Sequence, residues 1–130
     1  MPVRSLNSAV IKWPNREQVL SAARQWAATL MKTDAVVLRV LCVGSYARDD
    51  WGVGSDLDVI VVTKDGDLPQ TQRYLRYHPA DLPVPVDLWV YTVSEWESLC
   101  DHSPHLWRRL QREMLDLTQD EPKGGRPSEG

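Results

Sequence analysis

Two aspartates occur at a spacing that suits metal-ion chemistry. Asp56 and Asp58 stand in SDLDVIVVT, where the β-branched run predicts a strand. Because side chains alternate across a strand, both carboxylates share one face while Leu57 and Val59 point to the other. Two adjacent like charges repel each other, and a divalent cation relieves that repulsion. Oxygen ligands at this spacing suit Mg²⁺, which completes its shell with water and substrate phosphates. The alternative is a solvated strand end.

A third aspartate favours the metal site over that alternative. Asp87 stands in PVPVDLWVYT, where the alternating apolar residues form one strand face and Asp87 points the opposite way. An acid in such a strand is expensive to bury without a partner. If this strand neighbours the previous one, Asp87 lies beside Asp56 and Asp58. Two-metal phosphoryl transfer needs such a group of carboxylates, because its metals clamp the attacking and leaving oxygens.

A glycine and a serine end the preceding apolar run, AVVLRVLCV, which predicts another strand. Without a Cβ, Gly44 lets a ligand approach the backbone closely, and the Ser45 hydroxyl adds a hydrogen bond. If a helical turn begins here, its free N–H groups favour a phosphate. Taken alone, the pair is equally typical of an ordinary turn.

The elements around these residues predict a small α/β domain with a mixed β-sheet and helices packed mainly on one face. Besides the three strands, the patterns indicate a helix from Asn15 to about Lys32, capped by Asn15 and Gln18, a short helix over Pro69–Tyr77, a helix from Ser94 (paired with Glu97) to about Cys100, a helix from Pro104 to about Arg112, and a short strand over Met114–Thr118. The domain is expected to span residues 1–118, with 119–130 a disordered tail because QDEPKGGRPSEG has no apolar residue.

Composition excludes several classes of protein. The chain has 130 residues, enough for one domain, and 15 basic against 18 acidic residues give a net charge of −3. That balance makes a large nucleic-acid-coating surface unexpected. Two cysteines make no disulfide framework, the first thirteen residues contain no signal-peptide core, and the longest apolar stretch is too short to cross a bilayer. We therefore expect a cytoplasmic protein.

Gly44-Ser45, ten intervening residues, Asp56-x-Asp58 and the later strand aspartate Asp87 together resemble the DNA polymerase β-type nucleotidyltransferase superfamily. The chain is most similar to the minimal nucleotidyltransferases, single-domain proteins that include the antitoxin partners of HEPN-type toxins. The resemblance implies transfer of AMP from ATP to a hydroxyl with two Mg²⁺ ions. It also implies that the three aspartates bind metal, that Asp87 helps to activate the acceptor, and that Gly44 and Ser45 hold the β- and γ-phosphates.

The resemblance also makes Arg48 and Ser55 candidates for nucleotide binding, with a surface ion pair as the equally favoured alternative for Arg48. It further implies that a HEPN-type helical protein, encoded nearby, carries the acceptor hydroxyl. Because one small domain leaves little room for an acceptor pocket, that pocket must come from a partner or from a second copy of the chain. One position departs from the family pattern, since Asp49 stands where glycine is usual. Aspartate tolerates left-handed backbone, but an inward carboxylate there would weaken nucleotide binding. Asp49 thus favours the alternative function, an inactive module that neutralises a toxin by occlusion.

Four other sequence features each have a functional and a structural interpretation. Trp51, between the glycine-serine pair and the acids, either stacks on a base or plugs an apolar edge, so we expect modest discrimination among nucleoside triphosphates. The Arg73-x4-His78 spacing is similar to that of HEPN ribonucleases. Because that family is all-helical and this chain is rich in strands, we interpret the match as a coincidence. His102 and His105 have no cysteine or acid at zinc-site spacing. The last helix is locally basic, which favours a solvated face over an RNA or partner contact; its arginines are Arg108, Arg109 and Arg112.

Overall fold

A four-stranded mixed β-sheet carries five helices in this protein, for which the computed structural model describes residues 13–119. The helices are α1 (Arg16–Thr33), α2 (Gly44–Arg48), α3 (Gln70–Tyr77), α4 (Val93–His102) and α5 (Pro104–Glu113). The strands are β1 (Val37–Val43), β2 (Leu57–Thr63), β3 (Val86–Thr92) and β4 (Leu115–Asp116), in the spatial order β3-β2-β1-β4. The predicted fold class is confirmed. No helix in the described part of the chain is long and apolar enough to span a membrane.

The first helix begins at the capping box that the sequence predicts. The Asn15 side chain accepts a hydrogen bond from the Gln18 backbone N–H at 2.8 Å, and the Gln18 side chain accepts one from the Asn15 N–H at 2.9 Å. Two otherwise unsatisfied donors at the helix start are thereby paired. The helix then buries a stripe of Val19, Leu20, Ala23 and Ala27 against the sheet.

Strand pairing sets the positions of the polar residues at one end of the sheet. β1 pairs antiparallel with both β2 and β4, whereas β2 and β3 are parallel. A parallel pair needs a crossover connection, and α3 supplies it. The pair starts where the Leu57 N–H donates to the Pro85 carbonyl at 2.9 Å, and in this register Asp58 lies opposite Asp87.

Both faces of the sheet are covered by helices. One face packs on α1 and α3, in a core that includes Val40, Val59 and Leu88. On the other face, Trp96 of α4 and Leu110 of α5 cover part of the sheet. The second face is therefore covered more than the predicted arrangement, with helices mainly on one face, had indicated. The second cover stops short of the strand ends at Asp58 and Asp87, which leaves a cleft there.

The start of α4 differs from the prediction. The cap is Thr92, whose hydroxyl accepts from the Glu95 N–H at 3.2 Å while Glu95 accepts from the Thr92 N–H at 2.9 Å. The predicted cap was wrong because Ser94 is already engaged: its hydroxyl and its N–H both donate to the Asp65 carboxylate. The predicted tail at 119–130 lies outside the described residues from position 120 onward, so the domain boundaries stay a prediction.

Candidate active site

The predicted aspartates line one cleft at the end of the sheet. Asp58 is the second residue of β2 and Asp87 the second residue of β3, and the two are register partners on adjacent parallel strands. Asp56 precedes β2 and lines the same cleft, which has a volume of about 560 Å³. The alternation that places Asp58 and Asp87 here sends Leu57 and Leu88 into the opposite core. The structure therefore places Asp58 and Asp87 next to each other, as the strand pattern predicts, with Asp56 in the same cleft.

The electrostatics of the cleft show like charges held close together. The pKa of Asp58 is raised to about 6, first because burial penalises the charged form and then because the Asp87 and Asp56 charges repel it. Arg48 lowers this pKa, but by less than the other causes raise it. At Asp58 the positive charge of Arg48 therefore does not balance burial and the two neighbouring carboxylates. A divalent cation would supply that charge, so the donor set fits Mg²⁺.

The three carboxylates do not form a closed metal cage by themselves. Among residues 13–119, no group of three or more histidine, cysteine, aspartate or glutamate side chains is arranged to hold an ion on its own. Asp56 and Asp87 are exposed at the cleft mouth. The position of Asp87 within a strand had suggested a costly burial, and that expectation was wrong. Mg²⁺ typically takes one or two protein carboxylates and fills its shell with water and phosphate oxygens.

Gly44 is required where it stands, at the junction between β1 and α2. Its φ is +75°, in the region that favours glycine, and a Cβ at this position would overlap the Asp58 carboxylate. Gly44 and Ser45 line the cleft directly beside the acids. The predicted helical turn is present, because α2 begins at Gly44.

The two further residues implied by the resemblance also line the cleft. Arg48 forms ion pairs with Asp50 at 3.0 Å and with Glu113 of α5 at 3.4 Å, so it joins the loop after β1 to the last helix. The Ser55 hydroxyl accepts a hydrogen bond from the Gly52 N–H at 2.8 Å and closes the loop that leads to Asp56. Arg48 thus places a positive charge at the rim, and Ser55 shapes the loop.

Asp49 points away from the cleft. It adopts left-handed backbone at φ 66°, a conformation that aspartate tolerates in place of glycine. Its carboxylate lies 3.6 Å from the Arg16 guanidinium of α1, and Asp49 is not among the residues that line the cleft. The extra negative charge is therefore directed toward α1 and away from the three aspartates.

Trp51 fills an apolar edge of the domain. Its ring stacks on the fully buried ring of Tyr46, with centroids 5.6 Å apart and planes within 10°. It packs against the core and is not among the residues that line the cleft. Of its two predicted roles, the contact supports the structural one.

Sequence reasoning missed part of the cleft wall. Trp89 and Tyr91 line it from β3, and Leu106, Arg109 and Glu113 line it from α5. The period of two from Asp87 would have found Trp89 and Tyr91. No sequence pattern indicates that α5 returns to the cleft, so Arg109 was assigned to a solvated face. Arg73, from the Arg73-x4-His78 spacing, donates to the Leu68 carbonyl and to Glu95. It is not among the residues that line this cleft.

The fold and the cleft agree with comparisons to known proteins. The model of the nucleotidyltransferase domain family matches residues 25–114, more than half of the chain. The chain belongs to the nucleotidyltransferase domain family. None of the curated proteins compared matches it significantly.

Two solved structures share the fold of this chain. One is a protein from Sulfolobus solfataricus proposed to be a nucleotidyltransferase, with 19% identity, a TM-score of 0.55, and coverage of 78% of this chain and 80% of that chain. The other is a toxin–antitoxin structure with AMP-PNP, with 18% identity, a TM-score of 0.50, and coverage of 83% and 76%. At these identities the likeness establishes the fold.

Proposed function

We propose that this protein is a Mg²⁺-dependent nucleotidyltransferase that transfers AMP from ATP to a hydroxyl group and releases pyrophosphate. The observation that carries the proposal is the register pairing of Asp58 with Asp87, beside Asp56 and opposite Gly44 and Ser45, in one cleft. Phosphoryl and nucleotidyl transfer depend on positioning and charge neutralisation, so carboxylates facing a close-approach glycine are the parts required.

Each residue of the cleft has a role in this proposal. Asp56 and Asp58 would hold two Mg²⁺ ions, with Asp87 completing the site; bound Mg²⁺ supplies Lewis-acid stabilisation of the charge on the phosphates. Asp87 accepts the proton of the acceptor hydroxyl as its oxygen bonds to the α-phosphorus. The bond from that phosphorus to the bridging oxygen breaks, and pyrophosphate leaves toward Gly44 and Ser45.

The remaining nucleotide contacts come from the rim. The Ser45 hydroxyl donates to a departing phosphate, and glycine at position 44 leaves the room that the Asp58 carboxylate occupies beside it. Arg48 adds a positive charge next to the phosphates, held in place by Glu113. Ser55 keeps the loop closed, so that Asp56 faces the cleft.

We place the acceptor hydroxyl on a partner protein, a HEPN-type helical toxin encoded nearby, which makes this nucleotidyltransferase an antitoxin. Support comes from the family resemblance and from the structural neighbour, itself a toxin–antitoxin structure with AMP-PNP. A reducing cytoplasm suits the two free cysteines, since Cys42 is buried within β1 and Cys100 is exposed.

The alternative, neutralisation by occlusion alone, had Asp49 in its favour. Asp49 lies against Arg16 outside the cleft, which removes that argument.

The proposal is tested with α-labelled ATP, Mg²⁺ and the co-purified product of the adjacent gene. Label should move to the partner with wild-type protein and should be lost with Asp58→Asn. Asp81→Asn is the matched control, because Asp81 is exposed and is not among the residues that line the cleft. If the partner is neutralised without labelling, and Asp58→Asn neutralises it equally well, the protein acts by occlusion and the enzymatic proposal is wrong.

A further inference from the structure

An exposed indole on the floor of the cleft has no role in the mechanism above. Trp89 lies on β3 and is 43% exposed, although large aromatic side chains are usually buried. Its neighbour on the same strand face, Tyr91, packs instead against Trp96 of α4 with ring centroids 5.9 Å apart. An aromatic ring left open in a cleft that combines apolar and charged side chains indicates a surface that a planar ligand group covers.

The position of Trp89 relative to the acids is set by strand geometry. It follows Asp87 by two residues, so the two side chains share a face and their Cα atoms are about 6.5 to 7 Å apart. Across the sheet its register partner is Ile60, which is buried and lines the same cleft. On the helix side, Leu106 and Arg109 of α5 line the cleft. A flat group that enters here meets an aromatic face, an apolar floor and a guanidinium.

The sheet topology indicates which part of the substrate reaches that place. The argument rests on the proposed function, with pyrophosphate leaving toward Gly44 and Ser45 at the end of β1. In-line displacement puts the acceptor on the opposite side of the α-phosphorus, toward β3, which is an edge strand of the described sheet and is open to a partner. The nucleoside leaves the phosphorus roughly at right angles to that axis. It can therefore run along the strands, from Asp87 toward Trp89.

We propose that Trp89 is the platform on which the nucleobase stacks, and that it makes the site prefer purine over pyrimidine nucleotides. The separation between Asp87 and Trp89 is similar to that between an α-phosphorus and its base. Stacking on an aromatic side chain typically contributes about a 5- to 100-fold gain in affinity for any base, and differences in stacking strength add a modest preference among bases. Trp89 is thus a specificity-determining residue, whereas Trp51 is a core side chain.

The test compares a nucleotide with a ligand that has phosphates and no base. Binding to the Mg²⁺-loaded protein is measured by calorimetry for α,β-methylene-ATP, for α,β-methylene-CTP and for inorganic tripolyphosphate. Trp89→Ala should raise the Kd of the ATP analogue at least 5-fold and leave the Kd of tripolyphosphate unchanged. Trp89→Phe should recover most of the lost affinity, and wild-type protein should prefer the ATP analogue over the CTP analogue several-fold.

Tyr74→Ala is the matched control, because Tyr74 is also 43% exposed but lies on α3, outside the cleft. It should change none of these affinities. An unchanged Kd of the ATP analogue in Trp89→Ala, or an equal loss of tripolyphosphate binding, would overturn the assignment of Trp89 while leaving the nucleotidyltransferase site intact. Absence of binding of all three ligands to wild-type protein would instead overturn the proposed function, and this inference with it.

Discussion

Replacing Asp58 with asparagine should stabilise the metal-free protein. The pKa of Asp58 rises from an ordinary value of 3.8 to about 6 in the folded state, because the side chain is partly buried and faces Asp87 and Asp56. Two pKa units correspond to about 3 kcal/mol. Since the carboxylate is about half-exposed, solvent screening lowers this to about 1–2 kcal/mol. Asp58→Asn removes the ionised carboxylate, so we expect its free energy of unfolding to exceed that of wild type by about 1–2 kcal/mol at pH 7.5.

The pH dependence follows from the direction of the shift. A raised pKa means that the folded state binds the Asp58 proton more tightly than the unfolded state does. The stabilisation that this proton provides is complete below pH about 4 and is lost as the pH rises through about 6. The advantage of Asp58→Asn should therefore shrink at pH 4.5 to about one third of its value at pH 7.5. Urea denaturation at both pH values, without divalent cations, measures this difference.

The control and the refuting results are defined by the same measurement. Asp81→Asn, on the exposed surface, should gain nothing at either pH. Adding Mg²⁺ should stabilise wild type more than Asp58→Asn, because a ligand that binds only the folded state raises its stability. A variant less stable than wild type at pH 7.5, or a gain independent of pH, would show that the carboxylates do not repel one another as argued.

Three further predictions concern other parts of the site. Gly44→Ala should lower the free energy of unfolding by more than about 1 kcal/mol and weaken Mg·ATP binding, measured by thermal shift, since alanine is strained at φ +75° and its Cβ overlaps a carboxylate; an unchanged melting temperature would contradict this. Asp49→Gly should change the affinity for Mg·ATP less than about twofold, because Asp49 faces Arg16, and a tenfold gain in calorimetry would mean that it faces the nucleotide. Iodoacetamide should alkylate Cys100 but leave Cys42 unmodified in native protein, because burial and the Asp58 charge raise the pKa of the Cys42 thiol to about 12. Mass spectrometry measures the labelling of each cysteine, and equal labelling of the two would refute the prediction.

Local pattern and strand periodicity predicted most of the fold, because each element here has a strong local signal. The Asn15 cap, the three apolar strands and the proline that begins α5 placed five elements close to their observed bounds. The predicted start of α4 was wrong because Thr92 and Ser94, two residues apart, can both cap a helix. Only the tertiary contact of Ser94 with Asp65 decides between them.

The candidate site was predictable to the extent that it depends on strands. A period of two and the pairing of neighbouring strands sufficed to bring Asp58 and Asp87 together. The return of α5, which adds Arg109 to the cleft, depends on Trp96 and Leu110 packing on the second sheet face. Contacts between distant segments of this kind leave no periodic signal in the sequence.

The sheet order has a consequence for synthesis of the chain on the ribosome. β1 is translated early and has two neighbours, but the second of them, β4, is made more than 70 residues later. Until Leu115 and Asp116 emerge, the β1 edge opposite β2 lacks its pairing at Leu41 and Cys42, and unpaired backbone in an apolar strand is a template for association with other chains. Nascent chains that stall or are cleaved before residue 115 should therefore aggregate, and a chaperone or a protease would meet them first at β1.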